Sequence, residues 1–469
     1  MHTLEELITA IAPADGSGRE VRDPATGELI GRVPEHTVSD LDRALSAAAA
    51  AQPGWAALSD KERSATLHAA ADAIETSAEA LATVLSMEQG KPLNGLNARY
   101  ELGACVAWLR SAADTPLPAE TLVDEGERHA ELRYRPLGVI GAITPWNWPM
   151  MIAVWQFAAA LRMGNTVVMK PSEHTTMSGL ALLSVAATAL PDAVLQAVAG
   201  AGDLGARLAE SSRVSKVLFT GSIETGKRVI RASADHVTRL TLELGGNDAG
   251  IVLDDVDASQ IAEDLFWGAF INTGQTCASL KRLYVPDAKY DEVVTALTSY
   301  AASVPMGVGL DEENRLGPLQ NAMQYAVVDR LVSAARDAGA RITIGGNPNP
   351  DQPGFFYPAT IVSEIDPENA LVREEQFGPV LPIIRYGDLE DAIRWANADD
   401  TGLGASVWSA DRERARGVAT RIEAGTVWIN AHGALDPRMP FGGAKRSGYG
   451  LEFGAEGLKA VAQPQVIAH

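Results

Sequence analysis

The feature that most constrains the fold of this chain is an alternation of short apolar runs with helix-like segments beyond Pro136. Each apolar run has the length of a buried strand, and the segments between the runs repeat apolar residues at helical spacing. The strand-like runs are residues 137–143, 166–170, 194–199 and 214–220, and helices fit at 149–162, 176–190 and 203–212. Strands that alternate with crossover helices build a parallel sheet, so the sequence predicts the α/β class.

A second α/β region follows from about Gly245. Its strand-like runs are residues 249–253, 283–286, 341–345, 359–362, 379–385, 405–408 and 427–430. Ahead of both regions, alternating residues near 18–34 predict a hairpin, and Ser59 to Glu62 has the spacing of a capping box that opens a helix. A chain of 469 residues is long enough for two or three domains with a sizeable core.

The composition restricts the classes of partner. Acidic residues outnumber basic residues, 60 to 39, and the formal net charge is -21, which argues against nucleic acid and membrane surfaces as partners. The apolar stretch 180–200 is interrupted by Pro191 and Asp192, and the first fifteen residues lack the pattern of an export signal. Because Cys105 and Cys277 supply neither a disulfide framework nor a zinc cluster, we expect a cytoplasmic protein without a metal.

Residues that follow the predicted strands are candidates for ligand binding, since open parallel sheets bind ligands beyond the carboxyl ends of their strands. Gly221 and Ser222 open a helix after the fourth strand, where backbone N–H groups suit a pyrophosphate. Lys170 and Glu173 follow the second strand and suit ribose hydroxyls. The alternative interpretation of the glycine is a tight turn, and that of Lys170 and Glu173 is an ion pair on the surface.

Cys277 is the candidate nucleophile, although cysteine is more commonly a buried and inert side chain. It lies among small polar residues, with no histidine near it in sequence. The candidate base is therefore Glu243. It lies at an apolar strand end, where we expect desolvation to raise the pKa of its carboxyl group. Asn147, held between Trp146 and Trp148, suits an oxyanion donor. The alternative for Glu243 is a strand residue on a solvent-exposed face. The alternative for Asn147 is a turn asparagine that caps its own backbone.

Seven segments of the chain occur together in a fixed order. They are Pro145-Trp-Asn-Trp-Pro149, Lys170-Pro-Ser-Glu173, Phe219-Thr-Gly-Ser222, Leu242-Glu-Leu-Gly-Gly246, Gly274-Gln-Thr-Cys277, Glu374-Glu-Gln-Phe-Gly-Pro379, and Pro440-Phe-Gly-Gly443 with Lys445 and Ser447-Gly448. One such segment is a weak signal, whereas seven in order are specific. In this set the sequence resembles the NAD(P)-dependent aldehyde dehydrogenase superfamily over essentially its whole length.

The resemblance implies a catalytic role for three residues. The Cys277 thiolate adds to an aldehyde, Asn147 and the Cys277 backbone N–H hold the oxyanion, and Glu243 activates the water that hydrolyses the thioester. The cofactor residues that it implies are Trp146, Lys170, Glu173, Gly221, Ser222, Glu375 and Phe377. A carboxylate at Glu173 accepts a bond from a ribose 2′-hydroxyl and repels a 2′-phosphate, which favours NAD while leaving NADP open.

The resemblance also implies a domain organisation. Residues 1–115 and 137–245 form the NAD-binding domain, residues 246–446 form the catalytic domain, and residues 116–136 and 447–469 form an oligomerisation arm and tail. Alternation at 130–135 fits an exposed arm strand, and the run at 461–467 suits pairing with the edge strand of another chain. We therefore expect a homodimer or a homotetramer.

The substrate wall implied by the resemblance is mostly apolar and consists of Trp148, Ile152, Trp155, Ile271, Ser279 and Leu435. This predicts an uncharged aliphatic or aromatic aldehyde as the small-molecule substrate. The first alternative is a carboxylate-bearing semialdehyde, for which Arg438 or His432 would supply the cation. Two others differ in chemistry: a coenzyme-A-acylating relative, which generally lacks a glutamate at position 243, and a cysteine-dependent esterase without a redox role.

Overall fold

A hairpin and a block of helices precede the large sheets in the computed structural model, which describes residues 2–469. The elements are α1 (Leu4–Ile11), β1 (Arg19–Arg22), β2 (Leu29–Val33), α2 (Val38–Ala57), α3 (Asp60–Thr76), α4 (Ala78–Gln89), α5 (Ala98–Asp114), β3 (Glu120–Glu125) and β4 (Arg128–Pro136). Strands β1 and β2 form the predicted hairpin. The predicted capping box is also confirmed, because the Ser59 side chain accepts the Glu62 N–H while the Glu62 carboxylate accepts the Ser59 N–H.

The predicted parallel sheet follows with its helices. Its elements are β5 (Val139–Ile143), α6 (Pro149–Arg162), β6 (Thr166–Lys170), α7 (Thr176–Ala187), β7 (Leu195–Ala197), α8 (Gly202–Glu210), β8 (Lys216–Gly221), α9 (Ile223–Ala232) and β9 (Arg239–Leu244). The strand order β9-β8-β5-β6-β7 is parallel throughout. Every residue of β5 and β6 is buried, as expected for strands covered by helices on both faces.

A second large sheet is built from the region after Gly245. Its elements are β10 (Asp248–Val252), α10 (Ala258–Phe270), β11 (Leu280–Pro286), α11 (Tyr290–Ser303), α12 (Ala322–Asp337), β12 (Arg341–Ile344), β13 (Thr360–Ser363), α13 (Ala370–Arg373), β14 (Val380–Tyr386), α14 (Leu389–Asn397), β15 (Thr401–Gly402), β16 (Gly404–Trp408), α15 (Arg412–Ala419) and β17 (Thr426–Ile429). Its order is β12-β13-β14-β11-β10-β16-β17, with β12 antiparallel. The predicted α/β class is confirmed.

The end of the chain returns to three different sheets. Its elements are β18 (Ala444–Lys445), β19 (Gly448–Tyr449), α16 (Gly454–Ala460) and β20 (Ala462–Ala468). Strand β19 pairs with β9 at the edge of the first sheet, and β18 pairs with β15. Strand β20 pairs with β4 along its whole length, in a sheet of order β20-β4-β3. The predicted partner of residues 461–467 was another chain, whereas the structure gives this run a partner within its own chain, because β4 offers a matching antiparallel edge.

The functional region lies where the two large sheets meet. Strand β9 of the first sheet passes into β10 of the second through Gly245, Gly246 and Asn247. The carboxyl end of β9 therefore faces the amino end of β11, which pairs with β10. Cys277 lies in the loop just before β11, so this connection brings residues of both sheets to one place. Within residues 2–469, no helix combines the length and the hydropathy needed to cross a membrane.

Candidate active site

A cleft of about 730 Å³ opens between the two large sheets. The predicted catalytic and cofactor-binding residues come from six separate segments of the sequence, yet all ten line this one cleft. They are Trp146, Asn147, Lys170, Glu173, Gly221, Ser222, Glu243, Cys277, Glu375 and Phe377. Residues at the carboxyl ends of β6 and β8 and the loop residue Cys277 thus line the same cleft. Its lining therefore combines the residues expected for a dinucleotide with those expected for the chemistry.

The loop that carries Cys277 follows an unusual backbone path. Asn272 and Thr273 adopt left-handed conformations with φ of 51° and 56°, which non-glycine residues rarely take. Gly274 has φ of 74°, and a Cβ atom there would come within 2.1 Å of the Gly378 carbonyl oxygen. Only glycine fits this position. This close contact holds the loop against the segment before β14. Cys277, three residues after Gly274, lines the cleft.

Cys277 is half-buried and lines the cleft. Burial raises the pKa of the Cys277 thiol to about 12, and the nearby Lys281 ammonium opposes this shift. The carboxylates of Glu243, Asp248 and Glu375 act in the same direction as burial. The ionisation of this candidate nucleophile therefore depends on local positive charge.

Asn147 is buried, and both its side-chain amide and its backbone carbonyl make hydrogen bonds. Its side-chain Nδ2 donates to the Gln275 carbonyl at 3.0 Å. Its own carbonyl oxygen accepts from Lys91 Nζ and from Asn272 Nδ2, both at 2.8 Å. The alternative reading of a turn asparagine that caps its own backbone is wrong, because the side chain bonds across to the Cys277 loop. An amide nitrogen carries two hydrogens, so the second N–H can serve an oxyanion.

Glu243 is the penultimate residue of β9 and is 5% exposed. Neither of its carboxylate oxygens has a hydrogen-bond partner among the described residues. Burial raises the pKa of Glu243 well above its ordinary value, and the negative charge of Glu452 raises it further. Burial also raises the pKa of Glu452, to about 7, against the pull of Lys216. The predicted desolvation of Glu243 is confirmed, and such a carboxylate is a stronger base near neutral pH.

Near the carboxyl ends of β6 and β8, the cleft carries an ion pair and a helix terminus. Lys170 Nζ lies 3.2 Å from Glu173 Oε2, with the lysine side chain buried and the glutamate half exposed. Although burial acts to raise the pKa of Glu173, Lys170 brings the net shift below its ordinary value. Ser222 is the N-cap of α9, and its Oγ accepts the Thr225 N–H at 3.3 Å. This part of the cleft thus offers a carboxylate, an ammonium and the positive end of a helix dipole.

Glu375 and Phe377 border the middle of the cleft. Glu375 Oε1 accepts the Gly246 N–H at 3.3 Å and lies 3.2 Å from Lys281 Nζ. The ring of Phe377 meets the ring of Trp146 edge to face, with centroids 5.4 Å apart. Trp146 lies in the loop after β5 of the first sheet and Phe377 in the loop before β14 of the second, so this aromatic contact connects the two sides of the cleft.

Five of the six predicted substrate-wall residues belong to, or pack against, the large hydrophobic core that Cys277 also contacts. Trp148, Ile152 and Trp155 are buried in this cluster, and Ile271 and Leu435 pack against it together with Cys277. Ser279 differs from the other five, because its Oγ donates to the Thr276 carbonyl at 2.9 Å. Five of the six predicted residues thus share one core with Cys277, and none of the six lines the cleft that contains Cys277.

The two cations considered for a charged substrate have other partners. His432 Nδ1 lies 2.9 Å from Ser406 Oγ, and its Nε2 lies 3.6 Å from a carboxylate oxygen of Asp248. Arg438 is 81% exposed and binds Asp436.

Four charged residues near the site were not singled out from the sequence: Lys91, Glu101, Lys281 and Glu452. Each is at most 6% exposed. Lys91 follows a glycine and precedes a proline, which marked only a break between helices. Lys281 lies in β11, whose seven residues are all buried. A charged residue within such a run was the available signal, since buried charges are rare unless they are paired.

Comparisons with known proteins agree with this site. A model of the aldehyde dehydrogenase family matches residues 11–467. Geranial dehydrogenase of Castellaniella defragrans is 37% identical over 459 residues, 96% of this chain and 95% of that protein. Phenylacetaldehyde dehydrogenase of Pseudomonas fluorescens is 36% identical over 452 residues, 94% of this chain and 90% of that protein.

A solved structure extends the agreement to the fold. The NAD+ complex of an aldehyde dehydrogenase from Bacillus cereus superposes with a TM-score of 0.93 at 33% identity, and the match covers 98% of this chain and 94% of that one. The predicted family and its two-domain α/β fold are confirmed. With a family match over nearly its whole length, this oxidoreductase belongs to the aldehyde dehydrogenase family.

Proposed function

We propose that this enzyme oxidises an uncharged aliphatic or aromatic aldehyde to the carboxylic acid, with NAD as the hydride acceptor. The observation that carries the proposal is the single cleft, which is lined by Cys277, Asn147 and Glu243 and also by the Lys170 and Glu173 pair. The related enzyme from Bacillus cereus is known as an NAD+ complex. That relative and the donor set of the cleft support the choice of NAD.

The residues of the cleft fit NAD in their chemistry. Glu173 and Lys170 suit the hydroxyls of the adenosine ribose, and the N-terminus of α9 at Gly221 and Ser222 suits the pyrophosphate. Glu375 and Phe377 suit the ribose and ring on the nicotinamide side, with Trp146 as a wall. When bound, NAD supplies the acceptor for a hydride from the substrate. A 2′-phosphate would lie near the ionised Glu173, so we propose that NADP binds more weakly.

In the first half of the reaction, the Cys277 thiolate attacks the aldehyde carbon. The carbonyl oxygen becomes an oxyanion, which receives hydrogen bonds from the Asn147 side chain and the Cys277 backbone N–H. The bond from Asn147 Nδ2 to the Gln275 carbonyl fixes the plane of the amide, so the second N–H is oriented without further cost. Loss of the hydride then leaves an acyl group on the sulfur as a thioester.

In the second half, Glu243 takes a proton from a water molecule that attacks the thioester carbon. The products are the carboxylic acid and the Cys277 thiolate. The raised pKa of Glu243 suits this step, because a carboxylate of ordinary pKa is a weak base for water. Its presence also argues for water over coenzyme A as the acyl acceptor, because acylating relatives generally lack this glutamate.

The apolar cluster around Cys277 supports an uncharged substrate. His432 and Arg438, which a semialdehyde carboxylate would need, have Asp248 and Asp436 as partners. The relatives named for geranial and phenylacetaldehyde carry names of uncharged aldehydes. Both observations favour an uncharged aldehyde over a semialdehyde for this chain.

The test is a spectrophotometric screen of NAD and NADP reduction with a panel of aldehydes, beside the variants Cys277→Ala and Glu243→Gln. We expect Cys277→Ala to be inactive, and Glu243→Gln to show a burst of reduced cofactor followed by slow turnover. Undiminished steady turnover would remove Glu243 from its role. Ester hydrolysis without any aldehyde-dependent reduction of cofactor would instead support the cysteine-dependent esterase.

We further propose the predicted domain boundaries, at residues 1–115 with 137–245 and at 246–446. A homodimer or homotetramer is proposed from the sheet of β3, β4 and β20, because β3 and β20 each keep an unpaired edge in the described chain. The two unpaired cysteines favour a reducing compartment such as the cytoplasm.

A further inference from the structure

Lys281 stands between the Cys277 loop and the cofactor side of the cleft. Its ammonium donates to the carbonyl oxygens of Thr276 and Cys277 at 2.9 and 2.7 Å, and lies 3.2 Å from Glu375 Oε1. The lysine side chain is 1% exposed. Three contacts match the three N–H donors of an ammonium group. One buried nitrogen atom therefore contacts both the carboxylate of Glu375 and the backbone of the Cys277 loop.

Glu375 is the partner of Lys281 that faces the cleft. Its side chain is 28% exposed, and its Oε1 also accepts the Gly246 N–H. A Cβ atom on Gly245 would come within 2.4 Å of Glu375 Oε2, so this glycine allows the carboxylate its close approach. The hydroxyls of a ribose donate to carboxylates, and such a ligand competes with Lys281 for the charge of Glu375.

Cys277 needs a cation because its surroundings oppose the thiolate. Burial raises the pKa of the thiol, and Lys281 on β11 acts against this effect. Carboxylates face the thiol from three other elements: Glu243 from β9, Asp248 from β10 and Glu375 from the segment before β14. The balance between Lys281 and these carboxylates decides how readily the thiolate forms.

We infer that Lys281 is a positioning residue that couples occupation of the cofactor cleft to the reactivity of Cys277. In the free protein, Glu375 neutralises part of the charge of Lys281. When ribose hydroxyls bind Glu375, less of its charge remains for Lys281, and the ammonium stabilises the Cys277 thiolate more strongly. The inference rests on the proposed function, in which Cys277 is the nucleophile and Glu375 meets the ribose on the nicotinamide side.

The test is the pH dependence of Cys277 alkylation by iodoacetamide, with ADP-ribose as the probe. ADP-ribose carries the terminal ribose without the positively charged nicotinamide, so it isolates the path through Glu375. Saturating ADP-ribose is expected to lower the alkylation midpoint by about one pH unit in the unmodified enzyme. AMP lacks the terminal ribose and is expected to leave the midpoint unchanged. Cys277→Ala corrects for any labelling of Cys105.

Two variants separate coupling from a general structural role. Lys281→Met is expected to raise the midpoint without ligand and to lose the response to ADP-ribose. Glu375→Gln is expected to lower the midpoint without ligand and to show no further response. Calorimetry establishes that ADP-ribose saturates each variant, and circular dichroism establishes that each is folded. If Lys281→Met does not fold, Glu375→Gln still tests the coupling.

The inference is wrong if ADP-ribose shifts the midpoint in Lys281→Met, or in Glu375→Gln, as much as in the unmodified enzyme. Failure of the proposed function would differ from this result. In that case iodoacetamide would not alkylate Cys277 in the wild-type enzyme, or the wild-type enzyme would not bind ADP-ribose.

Discussion

The Nζ atom of Lys91 lies 2.8 Å from the carbonyl oxygen of Asn147 in a part of the protein that solvent does not reach. The same ammonium lies 2.6 Å from Glu101 Oε2 and 3.7 Å from the centre of the Trp148 ring. Glu101 Oε1 in turn accepts the N–H groups of Met150 and Met151, at the start of α6. One buried ion pair therefore holds the turn that carries the proposed oxyanion donor and caps the helix that follows it.

Lys91→Met is expected to lower kcat by about tenfold, a part of the loss that follows removal of an oxyanion donor. The reason is that the Asn147 carbonyl loses one of its two anchors. A double-mutant cycle with Asn147→Ala checks this: Lys91→Met should change kcat less than about twofold when Asn147 is already absent. Independent, multiplicative effects of the two substitutions would show that Lys91 does not act through Asn147.

Stability provides the control for that prediction. Lys91→Met leaves the Glu101 carboxylate buried without its cation, which is expected to cost about 3 to 5 kcal/mol of unfolding free energy. In Lys91→Met with Glu101→Gln, the amide oxygen still accepts from the start of α6, and most of the loss should be recovered. Urea unfolding measures the free energies. A kcat that stays low in this recovered variant separates loss of positioning from loss of folding.

Glu452→Gln is expected to move the pH profile of deacylation to lower pH. The negative charge of Glu452 raises the pKa of Glu243, so its removal lets Glu243 lose its proton and act as a base at lower pH. The expected shift is about one pH unit, typical of a nearby like charge. Ester hydrolysis, which includes the deacylation step, is measured from about pH 5 to about pH 9, a range that covers both an ordinary and a raised carboxyl pKa. Glu456→Gln, on the exposed side of α16, should leave the profile in place.

The strands of both sheets could be predicted, and the three proposed catalytic residues could be singled out, because each depends on local sequence. Buried runs such as 166–170 show their length directly, and Cys277, Glu243 and Asn147 lie in segments with a distinctive pattern. The pairing of β20 with β4 could not be predicted, because two exposed alternating strands carry no signal for which chain supplies the partner. Lys91 and Lys281 were missed because their partners lie in distant segments and appear only once the chain is folded.

Glu173→Gln is expected to reduce the preference for NAD over NADP. The ionised Glu173 repels a 2′-phosphate, while Lys170 at 3.2 Å attracts it. Removal of the negative charge should therefore tighten NADP binding by about tenfold, which corresponds to 1.4 kcal/mol. NAD binding should weaken, since the amide accepts less strongly from a ribose hydroxyl. Calorimetric dissociation constants for both cofactors test this.

The matched control for Glu173 is Glu224→Gln. Glu224 carries the same charge in the first turn of α9 but pairs with Lys227 at 2.5 Å and is not part of the cleft lining. Its substitution should leave both dissociation constants unchanged. An unchanged ratio of NADP to NAD binding in Glu173→Gln would contradict the role of Glu173 in cofactor choice.

Leu435→Arg is expected to reverse the preference for uncharged aldehydes. Leu435 packs against the apolar cluster beside Cys277, so a guanidinium there would weaken binding of an aromatic aldehyde and attract a substrate carboxylate. We expect kcat/KM for benzaldehyde to fall by about tenfold or more and that for succinic semialdehyde to rise, as a change of 1.4 kcal/mol implies. The comparison variant is Arg438→Ala, which removes an exposed cation that binds Asp436. A preference for succinic semialdehyde that is lost in Arg438→Ala would contradict the proposal of an uncharged substrate. It would also mean that Arg438 leaves Asp436 to bind the substrate carboxylate.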